Sequence, residues 1–356
     1  MQPGAGLAWL QFYCCTAVRI DIDPDCSKIL TMHPSNVLFQ DDLIPVALPA
    51  CDHYAGSEKL MRKSMVLQQE SMAATNVLFD ITFDCEDGVA LGNETAHAAL
   101  VTELIDSSDN HFNRIGARVH APDSEFFAQD IQTICSSRKL AYLMIPKVRH
   151  VADLQAAIKA INLQRDFSGL PALPIHVLIE THGALAEVRQ IAALKQVECL
   201  SFGIMDFVSA HYGAIPGAAM RSPAQFTHPL VMRAKLEISA ACQLYGKVAS
   251  HNVTTEFKDT AIVASDAQRA YNECGYSRMW SIHPDQIKPI IKAFTPRSSE
   301  LQEAVSILTA AKDAAWGPIQ IHGRLHDRAS YRYYWMILKR AKTNGLTLTE
   351  AALELI

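Results

Sequence analysis

The stretch Ile175-His176-Val177-Leu178-Ile179-Glu180 carries the pattern on which the fold prediction depends. Its first five residues are mostly apolar and do not alternate strictly with polar ones. Such a run is typical of a strand in a parallel sheet that helices cover on both faces. Glu180 then places a carboxylate at the carboxyl end of that strand. The segment therefore predicts a parallel α/β sheet with polar side chains gathered at one edge.

Seven comparable apolar runs alternate along the chain with amphipathic helical stretches. The predicted strands are 45–49, 77–84, 114–120, 141–147, 175–180, 199–203, 246–250 and 279–283. The predicted helices between them are 57–70, 94–105, 123–138, 151–161, 184–194, 230–245 and 256–274. Eight strands with helical crossovers favour a closed (β/α)8 TIM barrel, with an open doubly wound sheet as the alternative.

The chain divides into three predicted segments. Residues 1–42 show no clean period and are interpreted as an irregular N-terminal arm, whereas residues 43–296 form the barrel. Residues 297–356 form a C-terminal helical lid extension, with helices over 298–315 and 328–342, a loop over 316–327 and a short helix from Thr347 or Thr349. We expect this extension to cover its own barrel or that of a neighbouring subunit.

Composition narrows the class of protein. The 356 residues carry a formal net charge of −5 and are 49% hydrophobic, which is typical of a soluble globular protein. The net negative charge argues against a nucleic-acid partner, which needs a basic face. The apolar segment 7–18 is too short to span a bilayer, so no membrane partner is expected. Nine cysteines without a CxxC pair indicate reduced thiols in a cytoplasmic protein.

The active site of such a barrel forms at the carboxyl ends of its strands. Charged residues follow several predicted strands: Asp84, Glu86, Asp87, Arg118, His120, Lys147, Glu180 and Asp206. Glu180 and Asp206 follow neighbouring strands, and two carboxylates suit Mg²⁺, which keeps several waters and leaves places for substrate oxygens. The alternative for either residue is a helix cap or a surface charge.

Supporting roles are predicted for five further residues. Arg118 is the candidate for pairing with a substrate carboxylate, because guanidinium binds carboxylate with two hydrogen bonds. Glu86 and Asp87 are expected to hydrogen-bond the waters of the metal, although acidic residues also begin helices. Lys147 is expected to pair with an acidic neighbour, and a Schiff-base role is the alternative. His283 is interpreted as a structural hydrogen-bonding residue at the turn after strand eight.

Seven short motifs in this order resemble the family of aldolases that contains the citrate lyase β subunit and malyl-CoA lyase. They are Leu48-Pro49-Ala50, Phe83-Asp84-Cys85-Glu86-Asp87-Gly88-Val89, Ala117-Arg118-Val119-His120, Met144-Ile145-Pro146-Lys147-Val148, Leu178-Ile179-Glu180-Thr181, Ser201-Phe202-Gly203-Ile204-Met205-Asp206-Phe207 and Ser281-Ile282-His283-Pro284-Asp285-Gln286. The resemblance spans residues 43–343, which is most of the chain.

The resemblance implies a set of roles. Mg²⁺ would be held by Glu180 and Asp206, and Arg118 would bind the acid with the Gly203-Ile204-Met205 segment. The motifs Gly317-Pro318-Ile319 and Gly323-Arg324-Leu325-His326-Asp327 look like the lid of the stand-alone CoA lyases. In those enzymes the lid aspartate, here Asp327, is a general acid/base in the next subunit of a homo-oligomer, a trimer or a multiple of one. From the sequence alone, Asp327 before a helix would be an N-cap.

The implied activity is Mg²⁺-dependent cleavage or formation of a 3-hydroxyacyl-CoA such as malyl-CoA or citramalyl-CoA. The products of cleavage are an acyl-CoA and a 2-oxo acid, glyoxylate or pyruvate. Four alternatives stay open. They are a class II 2-oxo-acid aldolase without CoA, a malyl-CoA thioesterase, a citrate lyase β subunit acting on an acyl-carrier partner, and a non-catalytic metabolite-binding barrel.

The chain departs from the family pattern near the substrate and nucleotide ends. The arginine usual on the first strand has no counterpart at Leu43-Ile44-Pro45, and the basic residues usual after the acidic motif are replaced around Asn93-Glu94 and His97. His120 stands where asparagine is common, and Ser250-His251-Asn252 replaces the aspartate usual after strand seven. These changes leave the predicted metal pair intact.

Overall fold

A computed structural model describes residues 33–40, 42–88 and 92–356, and in these ranges eight parallel strands close into a barrel. The strands are β1 (Cys51–Ala55), β2 (Asp80–Asp84), β3 (Ile115–Arg118), β4 (Leu140–Ile145), β5 (Ile175–Ile179), β6 (Val197–Phe202), β7 (Val248–His251) and β8 (Arg278–Ser281). They follow chain order around the ring, with β8 pairing back onto β1. The predicted (β/α)8 TIM barrel is confirmed.

Helices surround the barrel and continue beyond it. They are α1 (Pro34–Phe39), α2 (Glu58–Thr75), α3 (Glu94–Asp106), α4 (Phe127–Ile134), α5 (Val151–Phe167), α6 (His182–Ala186), α7 (Val188–Ala193), α8 (Ile204–Ser209), α9 (Pro229–Leu244), α10 (Thr260–Cys274), α11 (Pro284–Phe294), α12 (Ser298–Asp313), α13 (Arg328–Thr343) and α14 (Glu350–Leu353). Among the described residues, no helix combines the length and the apolar content that crossing a bilayer requires.

Strand β5 shows why the sequence forms this architecture. Ile175, Val177 and Ile179 point outward into the main core between barrel and helices. His176 and Leu178 point into the barrel interior, where both are fully buried. Because successive side chains of a strand point to opposite faces and both faces are covered, the run needs no polar alternation.

Strand β1 corrects the prediction of a first strand over 45–49. Residues 45–49 lie before the strand, where Val46 N donates to the Gly246 carbonyl at 3.1 Å. The true strand contains Asp52, which is fully buried and pairs with Arg278 Nη2 at 3.0 Å across the barrel interior. The strand contains the polar residues Asp52 and His53, so it lacks the apolar pattern of a buried strand. Arg278, the ionic partner of Asp52, lies more than two hundred residues away in the sequence. Leu43-Ile44-Pro45 therefore lies before the first strand, whose residues are Cys51–Ala55.

The C-terminal extension has a hydrophobic core of its own. Helices α12 and α13 supply most of it, including Ile307, Trp335 and Leu338, and α1 adds Leu38 and Phe39. Residues 33–40 thus pack on the extension, while residues 1–32 of the predicted arm lie outside the described part of the chain.

The predicted loop 316–327 is wrong in its middle part. It contains a two-stranded hairpin, Ile319–Ile321 with Arg324–His326. His322 and Gly323 form its turn with φ values of 50° and 76°, which matches the type I′ turns favoured in two-residue hairpins. A His-Gly pair is a weaker turn signal than Asn-Gly, so the sequence did not reveal the hairpin.

The extension contacts the barrel at the face opposite the carboxyl ends of the strands. Arg340 Nη2 donates to the Tyr271 hydroxyl at 2.8 Å, and Asn344 Nδ2 donates to the Phe294 carbonyl at 3.4 Å. Tyr271 and Phe294 lie near the carboxyl ends of α10 and α11, where the chain has returned to the amino ends of the strands. Asp327, at the other end of α13, has no described contact with the barrel mouth of its own chain.

Candidate active site

Charged side chains from five neighbouring strand ends meet at the carboxyl side of the barrel, which we call the mouth. They are Asp84, Glu86, Asp87, Arg118, Lys147, Glu180 and Asp206. The sequence had predicted that these residues would converge, because the carboxyl ends of parallel strands share one edge.

Glu180 is the most deeply placed of these carboxylates, with 2% of its surface exposed. Its Oε1 accepts the Lys147 backbone N–H at 2.7 Å. Burial raises the pKa of Glu180 to about 8, and the negative charge of Asp206 adds to that increase. Since a buried carboxylate is stable as an ion only beside compensating positive charge, this environment suits a bound cation.

Asp206 lies in the first turn of α8, and its charge acts on Glu180 across the mouth. The two carboxylates that the sequence paired as metal ligands therefore share one mouth. Within the described residues, no group of three or more His, Cys, Asp or Glu side chains is arranged to hold a metal ion. Two carboxylates completed by water and substrate oxygens are nevertheless the donor set that Mg²⁺ favours.

Arg118 is held between two carboxylates. Its Nε donates to Asp84 Oδ1 at 2.7 Å, and its Nη1 lies 2.9 Å from Glu86 Oε2. Although burial alone would raise it, the Arg118 guanidinium holds the pKa of Asp84 below its ordinary value. A guanidinium has five N–H groups, so Arg118 keeps donors for a further carboxylate.

Lys147 adopts a left-handed conformation with a φ of 51°, which is uncommon for a residue with a side chain. Its Nζ lies 2.7 Å from Glu86 Oε1 and 2.8 Å from Asp87 Oδ2. Burial would lower the pKa of Lys147, but the hydrogen bonds that its ammonium donates to Asp87 and Glu86 raise the pKa above its ordinary value. A doubly paired ammonium is a poor nucleophile, which disfavours the Schiff-base alternative.

The segment predicted to bind substrate lies beside Glu180. A Cβ at Gly203 would approach Glu180 Oε2 to 2.3 Å, so only glycine fits against this carboxylate. The Ile204 side chain is buried in the main core, whereas Met205 is 45% exposed at the rim of the mouth. Ile204 could therefore contact a substrate through its backbone but not through its side chain.

Three histidines occupy the positions where the chain departs from the family pattern. His97 Nε2 lies 2.8 Å from the Asp84 carbonyl, and His120 Nδ1 lies 2.7 Å from Asp130 Oδ2. His251 Nε2 lies 2.7 Å from Nζ of the buried Lys235. Each ring therefore has a partner within the protein. His283 caps α11 by accepting from Asp285 N, as its structural interpretation predicts.

An aromatic layer lies beside the charged cluster and was missed in the sequence. The rings of Tyr54 and Trp280 stack with centroids 4.6 Å apart, and the Arg118 guanidinium carbon lies 5.4 Å from the Tyr54 centroid. Met144 and Leu178 complete this layer. Tyr54 was overlooked because β1 had been placed too early in the chain. Because alternate side chains of β8 point into the barrel, the position of Trp280 in that strand could have indicated that its ring lies inside.

Asp327 caps helix α13 in this protomer. Its Oδ1 accepts the N–H groups of Ala329 at 3.0 Å and Ser330 at 3.4 Å. The side chain is exposed. The N-cap expected from the sequence is therefore formed, and the exposed carboxylate also remains open to contact with another molecule.

The charges of the mouth do not balance. Five carboxylates face Arg118 and Lys147, so the fully ionised cluster has a net charge of −3. A divalent cation would reduce this imbalance, and an anionic acid could then bind beside Arg118. The arrangement suits chemistry in which negative charge develops on a substrate oxygen next to a metal ion.

Comparisons with known proteins agree with the motif resemblance. A family model described as HpcH/HpaI aldolase/citrate lyase matches residues 62–284. The L-malyl-CoA/beta-methylmalyl-CoA lyase of Cereibacter sphaeroides is 27% identical over 278 residues, covering 74% of this chain and 87% of that protein.

Two solved structures share the architecture. A citrate lyase from Burkholderia xenovorans LB400 is 53% identical, covers 91% of this chain and 100% of its own, and superposes with a TM-score of 0.80. The protein CitE from Mycobacterium tuberculosis, in complex with magnesium, acetoacetate and coenzyme A, is 20% identical. It covers 83% of this chain and 99% of its own with a TM-score of 0.62, and at that identity it supports the fold alone.

Proposed function

Because this chain belongs to the HpcH/HpaI aldolase/citrate lyase family and is a carbon–carbon lyase, we propose that it is Mg²⁺-dependent and acts on a 3-hydroxyacyl-CoA. The proposed substrates are malyl-CoA or citramalyl-CoA, and the small products are glyoxylate or pyruvate. The observation that carries the proposal is the buried Glu180, whose carboxyl shares a negatively charged mouth with Asp206.

Three groups of this chain would perform the chemistry. Bound between Glu180 and Asp206, Mg²⁺ would supply Lewis-acid polarisation of the hydroxyl or keto oxygen of the substrate. Arg118 would pair with the carboxylate of the acid, using the N–H groups that Asp84 and Glu86 leave available. Arg118 and Glu180 are both held by hydrogen bonds before substrate arrives, so little reorganisation of the site is needed.

The acid/base would be Asp327 from a second copy of the chain. In cleavage the substrate hydroxyl would lose its proton to solvent as the carbonyl forms, the electron pair of the broken C–C bond would go to the thioester enolate, and Asp327 would deliver a proton to the α-carbon. In synthesis Asp327 would remove that α-proton and the new alkoxide would take a proton from solvent. The carboxyl end of α13 is anchored on the barrel face opposite the mouth, through Arg340 and Asn344, and no contact within the described residues joins Asp327 to its own mouth. This anchoring supports a homo-oligomer in which lids cover neighbouring barrels.

One assay tests the proposal against its alternatives. Malyl-CoA, methylmalyl-CoA, citramalyl-CoA and free 4-hydroxy-2-oxo acids would be supplied with and without Mg²⁺, and 2-oxo acid and free CoA would both be measured. We expect Mg²⁺-dependent release of a 2-oxo acid from a CoA thioester. Free CoA without a 2-oxo acid would identify a thioesterase, cleavage of only the free acids would identify an aldolase, and binding without turnover would leave a non-catalytic barrel.

A further inference from the structure

Arg118 rests on an aromatic platform. Trp280 from β8 stacks on Tyr54 from β1 with an interplanar angle of 19°. The guanidinium carbon of Arg118, from β3, lies over the Tyr54 ring, 5.4 Å from its centroid. A guanidinium within about 6 Å of a ring centroid is attracted to the ring face, and more strongly where water is excluded. Arg118 is 8% exposed, Tyr54 9% and Trp280 7%, so the contact is well shielded.

We propose that Tyr54 is a positioning residue, whose ring fixes the Arg118 guanidinium in the plane required for pairing with the carboxylate of the bound acid. The proposal rests on the proposed function of Arg118. Asp84 and Glu86 hold the guanidinium from its edges: Nε and Nη2 both donate to Asp84, and Nη1 pairs with Glu86. These hydrogen bonds lie at the edges of the guanidinium and oppose its movement within the plane more than its displacement out of the plane, and a ring against its face opposes that displacement.

The ring of Tyr54 carries this role and its hydroxyl does not. Among the described residues, the buried Tyr54 hydroxyl and the Trp280 Nε1 have no hydrogen-bond partner. An unpartnered buried hydroxyl destabilises the folded state, so its removal should do no harm. Tyr54→Phe keeps the stack on Trp280 and the surface beneath Arg118, whereas Tyr54→Leu removes both.

The metal carboxylate depends on other contacts. Glu180 is held by the Lys147 backbone N–H and by the close approach of Gly203. Loss of the Tyr54 ring should therefore weaken binding of the acid without weakening binding of Mg²⁺. This separation distinguishes a positioning role from a general loosening of the barrel.

The test uses the full chain and measures the Kd of glyoxylate and pyruvate by calorimetry in saturating Mg²⁺. For Tyr54→Leu we expect Kd, and KM for the acid, to rise about 10-fold with kcat changed by less than about 3-fold. For Tyr54→Phe we expect values within about 2-fold of wild type. Phe79→Leu is the matched control, since it removes a buried ring at the opposite end of the barrel.

The outcomes separate this proposal from the proposed function. Equal losses in Tyr54→Phe and Tyr54→Leu would assign the effect to the hydroxyl and overturn the platform, as would wild-type affinity in Tyr54→Leu. If Tyr54→Leu does not fold, Trp280→Leu carries the test, because it leaves the Tyr54 ring without its stacking partner. If wild type binds neither acid, the proposed function fails. In that case a crystal structure of Tyr54→Leu tests the platform by itself. A displaced Arg118 guanidinium would support the platform, and an unmoved guanidinium would overturn it.

Discussion

At the scale of the residue, Glu180 is the side chain whose environment most directly indicates a cation. Glu180→Gln replaces a buried carboxyl with a neutral amide of the same shape. We expect the affinity for Mg²⁺ to fall at least about 10-fold and turnover to be lost. The melting temperature at pH 8.5 should be unchanged or higher, because a neutral group is less costly to bury than a charge.

Calorimetric titration with Mg²⁺ and thermal unfolding would check this prediction. Glu187→Gln is the matched control, because the Glu187 carboxylate hydrogen-bonds to His150 and to the Val151 N–H at the same end of the barrel. Unchanged Mg²⁺ affinity in Glu180→Gln would remove the metal assignment. An equal loss in the control would show that the effect is not specific to Glu180.

Lys235 gives a pH-dependent prediction that does not involve the metal pair. It donates to Gln225 Oε1 at 2.8 Å and lies 2.7 Å from His251 Nε2, and burial lowers the pKa of Lys235 from 10.5 to about 7. Between pH 7 and pH 10 the unfolded lysine is protonated and the folded one is not. Wild type should therefore gain stability relative to Lys235→Met as the pH rises through this range.

The measurement is the difference in melting temperature between Lys235→Met and wild type at pH 7, 8, 9 and 10. Lys258→Met, which alters an exposed lysine, should give a difference that is flat with pH. A flat difference for Lys235→Met as well would mean that the folded lysine titrates near its ordinary pKa.

At the scale of the element, the capping geometry of Asp327 allows its two possible roles to be separated. Asparagine caps a helix about as well as aspartate but cannot transfer a proton. We expect Asp327→Asn to keep the melting temperature and to lower turnover by about 100-fold or more. Asp327→Ala should lower turnover similarly and also destabilise α13 by about 1 kcal/mol.

Steady-state kinetics and thermal unfolding of both variants would check this. Ser298, the first residue of α12, lies on the same extension, and Ser298→Ala is the control for a change remote from the lid carboxylate. Wild-type turnover in Asp327→Asn would leave Asp327 with the capping role alone.

Local pattern predicted most elements and failed at two of them. Most of strands β2 to β8 coincide with apolar runs, and the charged residues at or after the ends of β2 to β6 identified much of the mouth. Strand β1 was misplaced because buried Asp52 is compensated by Arg278 from β8, and no local pattern reveals a partner so distant in sequence. The error also hid Tyr54. The hairpin after α12 was missed because its strands have only three residues each.

At the scale of the whole molecule, the prediction concerns exchange of lids between subunits. Chains with Asp327→Ala lack the lid carboxylate, and chains with Arg118→Ala lack the acid-binding group. If lids act across subunits, coexpression of the two variants should make up to about a quarter of all sites intact, because half of the barrels and half of the lids are functional. Activity of the mixed oligomer, purified with two affinity tags, is the measurement.

Absence of rescue would contradict lid exchange, provided light scattering shows that the two chains assemble together. Coexpression of Arg118→Ala with Glu180→Gln is the control, because both changes affect the barrel and no mixed site is intact. Rescue in that control would point to reversion or to contamination with wild type.

The packing of α1 on the extension has a consequence for deletions. Phe39 contacts Trp335 edge-to-face at 5.2 Å, and Arg332 Nε donates to the Leu38 carbonyl at 2.7 Å. The segment upstream of the barrel thus supports the helix that Asp327 caps. A shortened protein that starts at residue 43 would retain every group of the mouth, yet it would lose the packing that supports the helix capped by Asp327, the proposed proton donor. Catalysis could then fail through a surface on the far side of the barrel from the metal.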